Sequence, residues 1–171
     1  MPRRLRRPAR GPYAPGHAAH DQAEPDGPAC DVRTHLYRRT GVDLTRSDGS
    51  DAPTALTVVA ETGRDMRRWP SGKHFASWLT LAPGTTVSGG TTLSGRTKPS
   101  ASRAAAALRL AAGSLHHSTS ALGAFFRRLK TRLGAPKAIT ATAHQLARLI
   151  SRMLKGGTDY VDQGQEYYER R

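Results

Sequence analysis

The stretch between Pro136 and Gly157 constrains the fold most, because its apolar side chains recur at the spacing of an α-helix. They fall at i, i+4, i+7, i+11 and i+14 and are Ile139, Ala143, Leu146, Ile150 and Met153. Side chains at these intervals share one face of a helix, which other elements must cover. A proline in the first turn and a glycine pair at the end set the limits. The pattern predicts one long amphipathic helix.

Other segments show helical spacing bounded by caps or stops. We predict helices over about 51–61, 71–81, 101–116 and 120–133, and a short helix followed by an extended or turn segment within 31–45. Asp51, Ser71 and Ser120 suit N-caps, and Gly63 and Gly134 suit helix ends. The side chains expected to be buried in the 120–133 helix are Leu122, Phe125, Phe126 and Leu129. No strand signal competes, so we expect a compact all-α domain.

Glycine and proline mark the parts that do not fit this pattern. Residues 84–100 hold four glycines among several threonines and serines, which predicts an irregular or hairpin-like loop. Residues 1–30 hold six of the 11 prolines and five arginines without apolar periodicity, which is typical of a disordered arm. We therefore expect one helical domain over 31–171. The single cysteine, Cys30, excludes an intrachain disulfide and a cysteine-rich zinc site.

The charge of the chain is concentrated in one segment. The sequence has 27 lysines and arginines against 13 acidic residues, and residues 66–158 hold 15 of the basic residues and no carboxylate side chain. Such asymmetry favours a polyanionic partner, most simply DNA or another nucleic acid. It also excludes from residues 66–158 a metal site that needs clustered Asp and Glu ligands.

Targeting signals are not recognisable in the sequence. No run of 7–15 apolar residues follows the basic start, and the longest apolar stretch is interrupted by Arg109. A membrane-spanning helix needs about 20 apolar residues. We therefore expect a cytoplasmic protein with no membrane partner.

Three long runs of the sequence carry a resemblance to a known family. They read WPSGKHFASWLTLAPGTTVSGG, RTKPSASRAAAALRLAAGSL and LGAPKAITATAHQLARLISRMLKGGTDYVDQGQEYYERR. Together they resemble the C-terminal domain of the insertion-sequence one-ten family of transposases, over roughly 31–171. Members commonly have Gly where Thr80 stands here, and this departure is expected to weaken the geometry of a turn.

The resemblance implies a DNA recombinase that works with a structured guide RNA and breaks and rejoins DNA strands. In that family an N-terminal RuvC-like domain carries four acidic residues that hold magnesium, and the C-terminal domain supplies a serine nucleophile. The matching serine here is Ser88. We expect a truncated copy without the acidic domain, inactive alone, with no cofactor of its own and with Mg²⁺ only when that domain is added. A functional form is expected to be a homo-oligomer.

Eight basic residues are candidates for phosphate contact. Four lie near Ser88 in sequence and four lie on the 120–133 helix: Lys73, Arg96, Lys98, Arg103, Arg127, Arg128, Lys130 and Arg132. The simpler interpretations are a solvated basic helix face and a turn serine at position 88. On those interpretations the chain is a non-catalytic, basic nucleic-acid-binding remnant.

Other motifs have two interpretations each. His74 is the nearest candidate base for Ser88, although a histidine on a helix surface is commoner. Residues Gly49 to Gly63 resemble a helix-hairpin-helix entry that grips a DNA backbone, and a core helix bounded by glycines explains them equally well. His116 and His117 are adjacent and so face different directions, which argues against a shared metal. Packing roles are expected for Tyr160, Tyr167 and Tyr168, because carboxylates surround them.

Overall fold

The computed structural model describes residues 31–95, 97–162 and 164–170, and this part of the chain folds into seven α-helices and one short hairpin. The helices are α1 Val32–Thr40, α2 Ala52–Thr62, α3 Gly72–Trp78, α4 Arg103–Ser114, α5 Ala121–Leu133, α6 Ala135–Gly156 and α7 Gly164–Glu169. The strands are β1 Thr86–Ser88 and β2 Thr91–Ser94, which pair antiparallel. The all-α prediction is confirmed. The arm predicted over 1–30 lies outside the described residues.

The helix N-caps fall where the sequence predicts them. The Asp51 carboxylate accepts from the backbone N–H of Thr54 at 2.8 Å, and the Ser120 hydroxyl accepts from that of Gly123 at 3.1 Å. Gly134 ends α5 and precedes the proline in the first turn of α6. Local chemistry therefore sets most helix boundaries, since each cap satisfies a backbone group that the helix leaves unpaired.

Helix α3 is the exception, because it ends at Trp78 and not near Leu81 as predicted. The N–H of Leu81 donates to the carbonyl of Ala76 at 3.0 Å, and the N–H of Thr80 donates to that of Ser77 at 2.9 Å. This pair of bonds is the Schellman C-cap, whose turn residue must be left-handed. Here that residue is Thr80, with φ at 57°. The apolar spacing extends beyond the helix because the turn buries Leu79 and Leu81 by itself.

Helix α6 lies at the centre, with α3, α4 and α5 packed against it. Its predicted face is buried at Ala143, Leu146, Ile150 and Met153, while Ile139 is partly buried. Many facing positions on α4 and α6 are alanines with no exposed surface, and these small side chains let the helix axes approach closely. On α5, Leu122 and Phe126 are buried as predicted, whereas Phe125 and Leu129 flank that face and are half-buried.

Carboxylates tie α1 to the segment that follows α6. Arg33 donates to the buried Asp43 at 2.7 Å, and the Asp159 carboxylate accepts from the backbone N–H of Asp43 at 2.9 Å. Burial acts to raise the pKa of Asp43, but the hydrogen bonds from Arg33 and Thr45 outweigh it and hold that pKa low. Among the described helices, none is long and apolar enough to cross a membrane.

Candidate functional site

Ser88 lies at the tip of the hairpin, as the last residue of β1, and its side chain is exposed. It pairs with Thr91 across a two-residue turn formed by Gly89 and Gly90, whose φ angles are 55° and 78°. Positive φ at both turn residues defines the type I′ hairpin turn and explains the glycine pair. Apart from the chain neighbours, no described atom lies within 4 Å of a Cβ built at either glycine, so the turn is open to a ligand.

No general base accompanies Ser88 in the hairpin. Residues 84–95 contain no carboxylate and no histidine. His74, the candidate from sequence, lies on α3 with its Nδ1 at 2.8 Å from the hydroxyl of Ser71, the N-cap of that helix. This contact fits the surface interpretation of His74.

The predicted phosphate contacts near Ser88 are spread over several elements. Lys73 is exposed in the first turn of α3, Lys98 is exposed in the segment between β2 and α4, and Arg103 is the exposed first residue of α4. Arg96 lies outside the described residues. The structure therefore separates these cations along two helix starts and a connecting segment.

Glu61 fixes the start of α4, a role that sequence reasoning missed. Its carboxylate accepts from the backbone N–H of Ala104 at 2.7 Å, beside the Ser102 N-cap. Partial burial acts to raise the pKa of Glu61, but the hydrogen bonds from Ser102 and from the α4 backbone outweigh it and lower the pKa. The end of α2 thereby anchors the chain where it leaves the hairpin.

A second missed group lies between α3 and α6. Burial is the main reason that the pKa of His144 falls below its usual value, and the charges of Arg148 and Lys73 lower it further. His144 is half-buried on α6, and the backbone of Arg148 lies 3.4 Å from a Cβ built at Gly72. Residues 66–158 contain no carboxylate side chain, so that segment supplies no acidic partner for Lys73 or Arg148.

The basic side chains of α5 divide into two kinds. Arg127 is half-buried and donates to the carbonyl of Ser118 at 2.5 Å and to the Gln165 side chain at 2.6 Å. It therefore holds α7 and the turn before α5 in place. Arg128 and Arg132 are exposed and Lys130 is half-buried. Among the described residues, no carboxylate lies within 4.0 Å of those three.

Packing accounts for the glycine-bounded segment from Gly49 to Gly63. A Cβ at Gly49 would meet the carbonyl oxygen of Ala111 at 2.9 Å and the Leu115 side chain at 3.0 Å. Ala55 and Val58 are fully buried on α2. The first glycine is thus required by contact with α4, which favours the core-helix interpretation over a DNA grip.

Tyr160 behaves as the packing group that the sequence predicts. Tyr160 packs against the core and donates to Asp162 at 2.9 Å, and burial together with this carboxylate raises its pKa. The side chains of Tyr167 and Tyr168 lie outside what the structure describes. Within the described residues no group of three or more His, Cys, Asp or Glu side chains is placed to hold a metal ion.

The comparison with protein families matches the part of the chain that contains the hairpin. Residues 43–127 match the family model described as the transposase IS116/IS110/IS902 family. No curated protein matches the chain significantly. The matched residues run from the segment after α1 through Ser88 to the middle of α5.

Proposed function

The chain belongs to the IS116/IS110/IS902 family of transposases, and on that premise we propose that it is a DNA-binding transposase domain that acts by strand breakage and rejoining. Ser88 is the proposed nucleophile. The observation that carries the proposal is the exposure of Ser88 at a glycine turn inside the matched residues. Among the described residues its hydroxyl makes no hydrogen bond, so it is accessible to a phosphate.

The proposed reaction exchanges one phosphate ester for another. The Ser88 oxygen bonds to phosphorus while a bond from phosphorus to a bridging DNA oxygen breaks. The released sugar oxygen takes up a proton, and the Ser88 proton passes to a base. The phosphoserine keeps the ester needed for rejoining. Since the hairpin has no base of its own, that base is expected from another domain or chain.

Magnesium belongs to this proposal only through a partner. The described residues do not offer a set of ligands for it, so they fit no magnesium site of their own. We propose that an acidic N-terminal domain supplies the metal, and that a structured guide RNA and a second copy of the chain join the assembly. The N-terminal domain, the magnesium and the guide RNA can each be omitted separately in the assay below.

A protein–DNA adduct on a denaturing gel tests the role of Ser88. The full chain is incubated with labelled element-end DNA, guide RNA, magnesium and an N-terminal domain from a full-length relative. Ser88→Ala is expected to abolish the adduct, whereas Thr91→Ala removes a hydroxyl from the paired position of the same hairpin and is expected to retain it. An adduct that survives in Ser88→Ala would reject the proposed nucleophile.

The proposed DNA contacts include Arg128, Lys130 and Arg132, because they lack carboxylate partners in the described structure. Replacing all three with Gln should reduce the slope of log affinity against log salt by about 3, since each phosphate contact contributes about 0.9. The matched control replaces Arg38, Arg46 and Arg170, of which the last two are paired with carboxylates. Equal slopes in both variants would remove α5 from the interface.

A non-catalytic nucleic-acid-binding module is the second candidate. The absence of a carboxylate or histidine from residues 84–95 favours it. It predicts salt-dependent DNA binding of the wild type and no adduct under any combination of partners.

A further inference from the structure

A basic cavity lies away from the hairpin, where the ends of α1 and α6 meet the segment after α2. Its volume is about 430 Å³. The charged side chains that line it are Arg39, Arg64, Arg67, Lys155 and Asp65. Two of these arginines come from residues 31–65 and the other two cations from residues 66–158, so the fold joins segments that differ in charge pattern.

The cations outnumber the acid by three, and the acid is already engaged. The carboxylate of Asp65 accepts from the backbone N–H of Arg67 at 3.0 Å, as the cap of a short 3₁₀ helix. Within the described residues, none of the four cations has a carboxylate within 4.0 Å. The lining is therefore electropositive, because Asp65 offsets only one of the four cations.

Hydrogen bonds hold two of the cations in place without using all their donors. One Nη–H group of Arg64 donates a hydrogen bond to the carbonyl of Arg39 at 3.2 Å. Lys155 donates to the carbonyls of Trp69 at 2.7 Å and Pro70 at 3.1 Å. A guanidinium has five N–H donors, so Arg64 keeps four for a ligand.

Helix-end electrostatics explain these bonds only in part. Lysine and arginine near a helix C-terminus interact favourably with the partial negative charge there. That effect accounts for Lys155 and Arg39, and for the bond from Arg64 to the carbonyl of Arg39 in the last turn of α1. It does not account for Arg67, which belongs to the segment after α2. Arg64 and Arg67 are both exposed and both line the cavity. The planar guanidinium group of arginine binds phosphate oxygens through two parallel N–H donors. Met66 is buried beneath them and gives the cavity an apolar floor.

We propose that this cavity binds a phosphate group, at a site separate from Ser88 and α5. The phosphate comes either from a nucleic-acid backbone or from a free phosphate ion. The proposal requires neither catalysis by the hairpin nor binding by α5. It therefore stands or fails independently of the function proposed above.

The first arm of the test measures duplex DNA affinity of the full chain by fluorescence anisotropy at several salt concentrations. The variant Arg39→Gln with Arg64→Gln should lower the slope of log affinity against log salt by about 2 if both arginines contact phosphates. The control is Arg46→Gln with Arg170→Gln, which removes two arginines that already have carboxylate partners. Its slope should match the wild type.

The second arm titrates inorganic phosphate at constant ionic strength and follows the Nε–H signals of ¹⁵N-labelled arginine. Saturable shifts in the wild type that vanish in the double variant would identify free phosphate as the source. A changed DNA slope without such shifts would identify the nucleic-acid backbone. The proposal would be overturned if the double variant left the DNA slope unchanged and phosphate produced no saturable shifts in the wild type.

Folding controls keep both arms interpretable. Far-UV circular dichroism should show the same helix content in the variant, because all the replaced side chains are exposed. Should the double variant unfold, Arg67→Gln is the substitute, since only the backbone of Arg67 makes a hydrogen bond in the described structure. If wild-type DNA binding fails, the DNA-binding proposal is lost while the phosphate titration still decides this one.

Discussion

The helical core and the hairpin differ in what holds them and in what they expose. In the core, Phe75, Leu108 and Leu146 have no exposed surface, and α6 contacts three other helices. The two hairpin strands contain seven residues, six of which are paired, and the side chain of Val87 is 58% exposed. Buried apolar area is the main source of stability, so the core should determine folding while the hairpin is free to meet a ligand.

The same contrast separates stability from the proposed chemistry. Most of the side chains that the core buries are apolar, whereas Ser88 lies beside an open turn and its hydroxyl has no hydrogen-bond partner in the described structure. Substitutions in one region should therefore leave the properties of the other region unchanged. Four measurements test this division.

Truncating Phe75 should have the largest effect. Its ring contacts Trp69 at a centroid distance of 4.8 Å and is completely buried, so Phe75→Ala should lower the free energy of unfolding by about 3–5 kcal/mol. Val87→Ala, at the exposed hairpin position, should change it by less than about 0.5 kcal/mol. Urea unfolding followed by circular dichroism measures both. A large loss in Val87→Ala would show that the hairpin supports the core.

Two glycines that both lie inside helices should respond in opposite directions. A Cβ at Gly123 would collide with the carbonyl oxygen of Ser118, so Gly123→Ala should destabilise the protein by about 1–3 kcal/mol. Outside its own stretch of α4, Gly113 has no described atom within 4 Å of its Cβ position, so Gly113→Ala should stabilise the protein by up to about 1 kcal/mol. Thermal melts of the two variants give the signs. Destabilisation by Gly113→Ala would mean that α4 packs more tightly than described.

Thr80 offers a stabilising change where the chain leaves α3 toward the hairpin. A β-branched residue at φ 57° is strained, and the buried hydroxyl of Thr80 has no hydrogen-bond partner in the described structure. Thr80→Gly should therefore raise the free energy of unfolding by about 1 kcal/mol. Thr80→Ala removes the hydroxyl but keeps the left-handed backbone, so it separates the two causes. A loss of stability in Thr80→Gly would contradict the strain argument.

Caps, turns and apolar spacing in the sequence predicted the helices and the hairpin. Contacts between distant residues were not predictable in this way. The caps at Asp51 and Ser120 and the glycine turn beside Ser88 need only neighbouring residues, so the sequence was sufficient to find them. The end of α3 was missed because Leu79 and Leu81 continue the apolar spacing through a turn that threonine seldom forms.

The candidate site was predicted less completely than the fold, for a related reason. Arg127 has the same sequence signal as Arg128, yet only the position of α7 and of the turn at Ser118 makes it a packing residue. Glu61 caps a helix that starts 42 residues later, and the cavity joins Arg39 to Lys155. Contacts over such separations leave no periodic pattern in a single sequence.

The pH dependence of stability should come from the helices, since residues 84–95 contain no titratable side chain. His144 is the main candidate. Its pKa lies below the usual value of 6.5 in the folded protein, chiefly because of burial. Between the folded and unfolded pKa values the unfolded chain binds more protons, so acid favours unfolding in that range. Stability should therefore fall as the pH drops below about 6.5 and level off below the lowered pKa.

Melting temperatures of wild type and His144→Gln between pH 8 and pH 5 measure this contribution, and the variant should lose less stability on acidification. His116 is the necessary comparison, because the charge of Lys130 chiefly lowers its pKa as well. The variant His116→Gln therefore measures how much of the acid loss comes from His116. The carboxylates Asp43 and Glu61 have lowered pKa values, so they titrate below this pH range. An identical acid loss in wild type and His144→Gln would mean that α3 does not keep His144 buried.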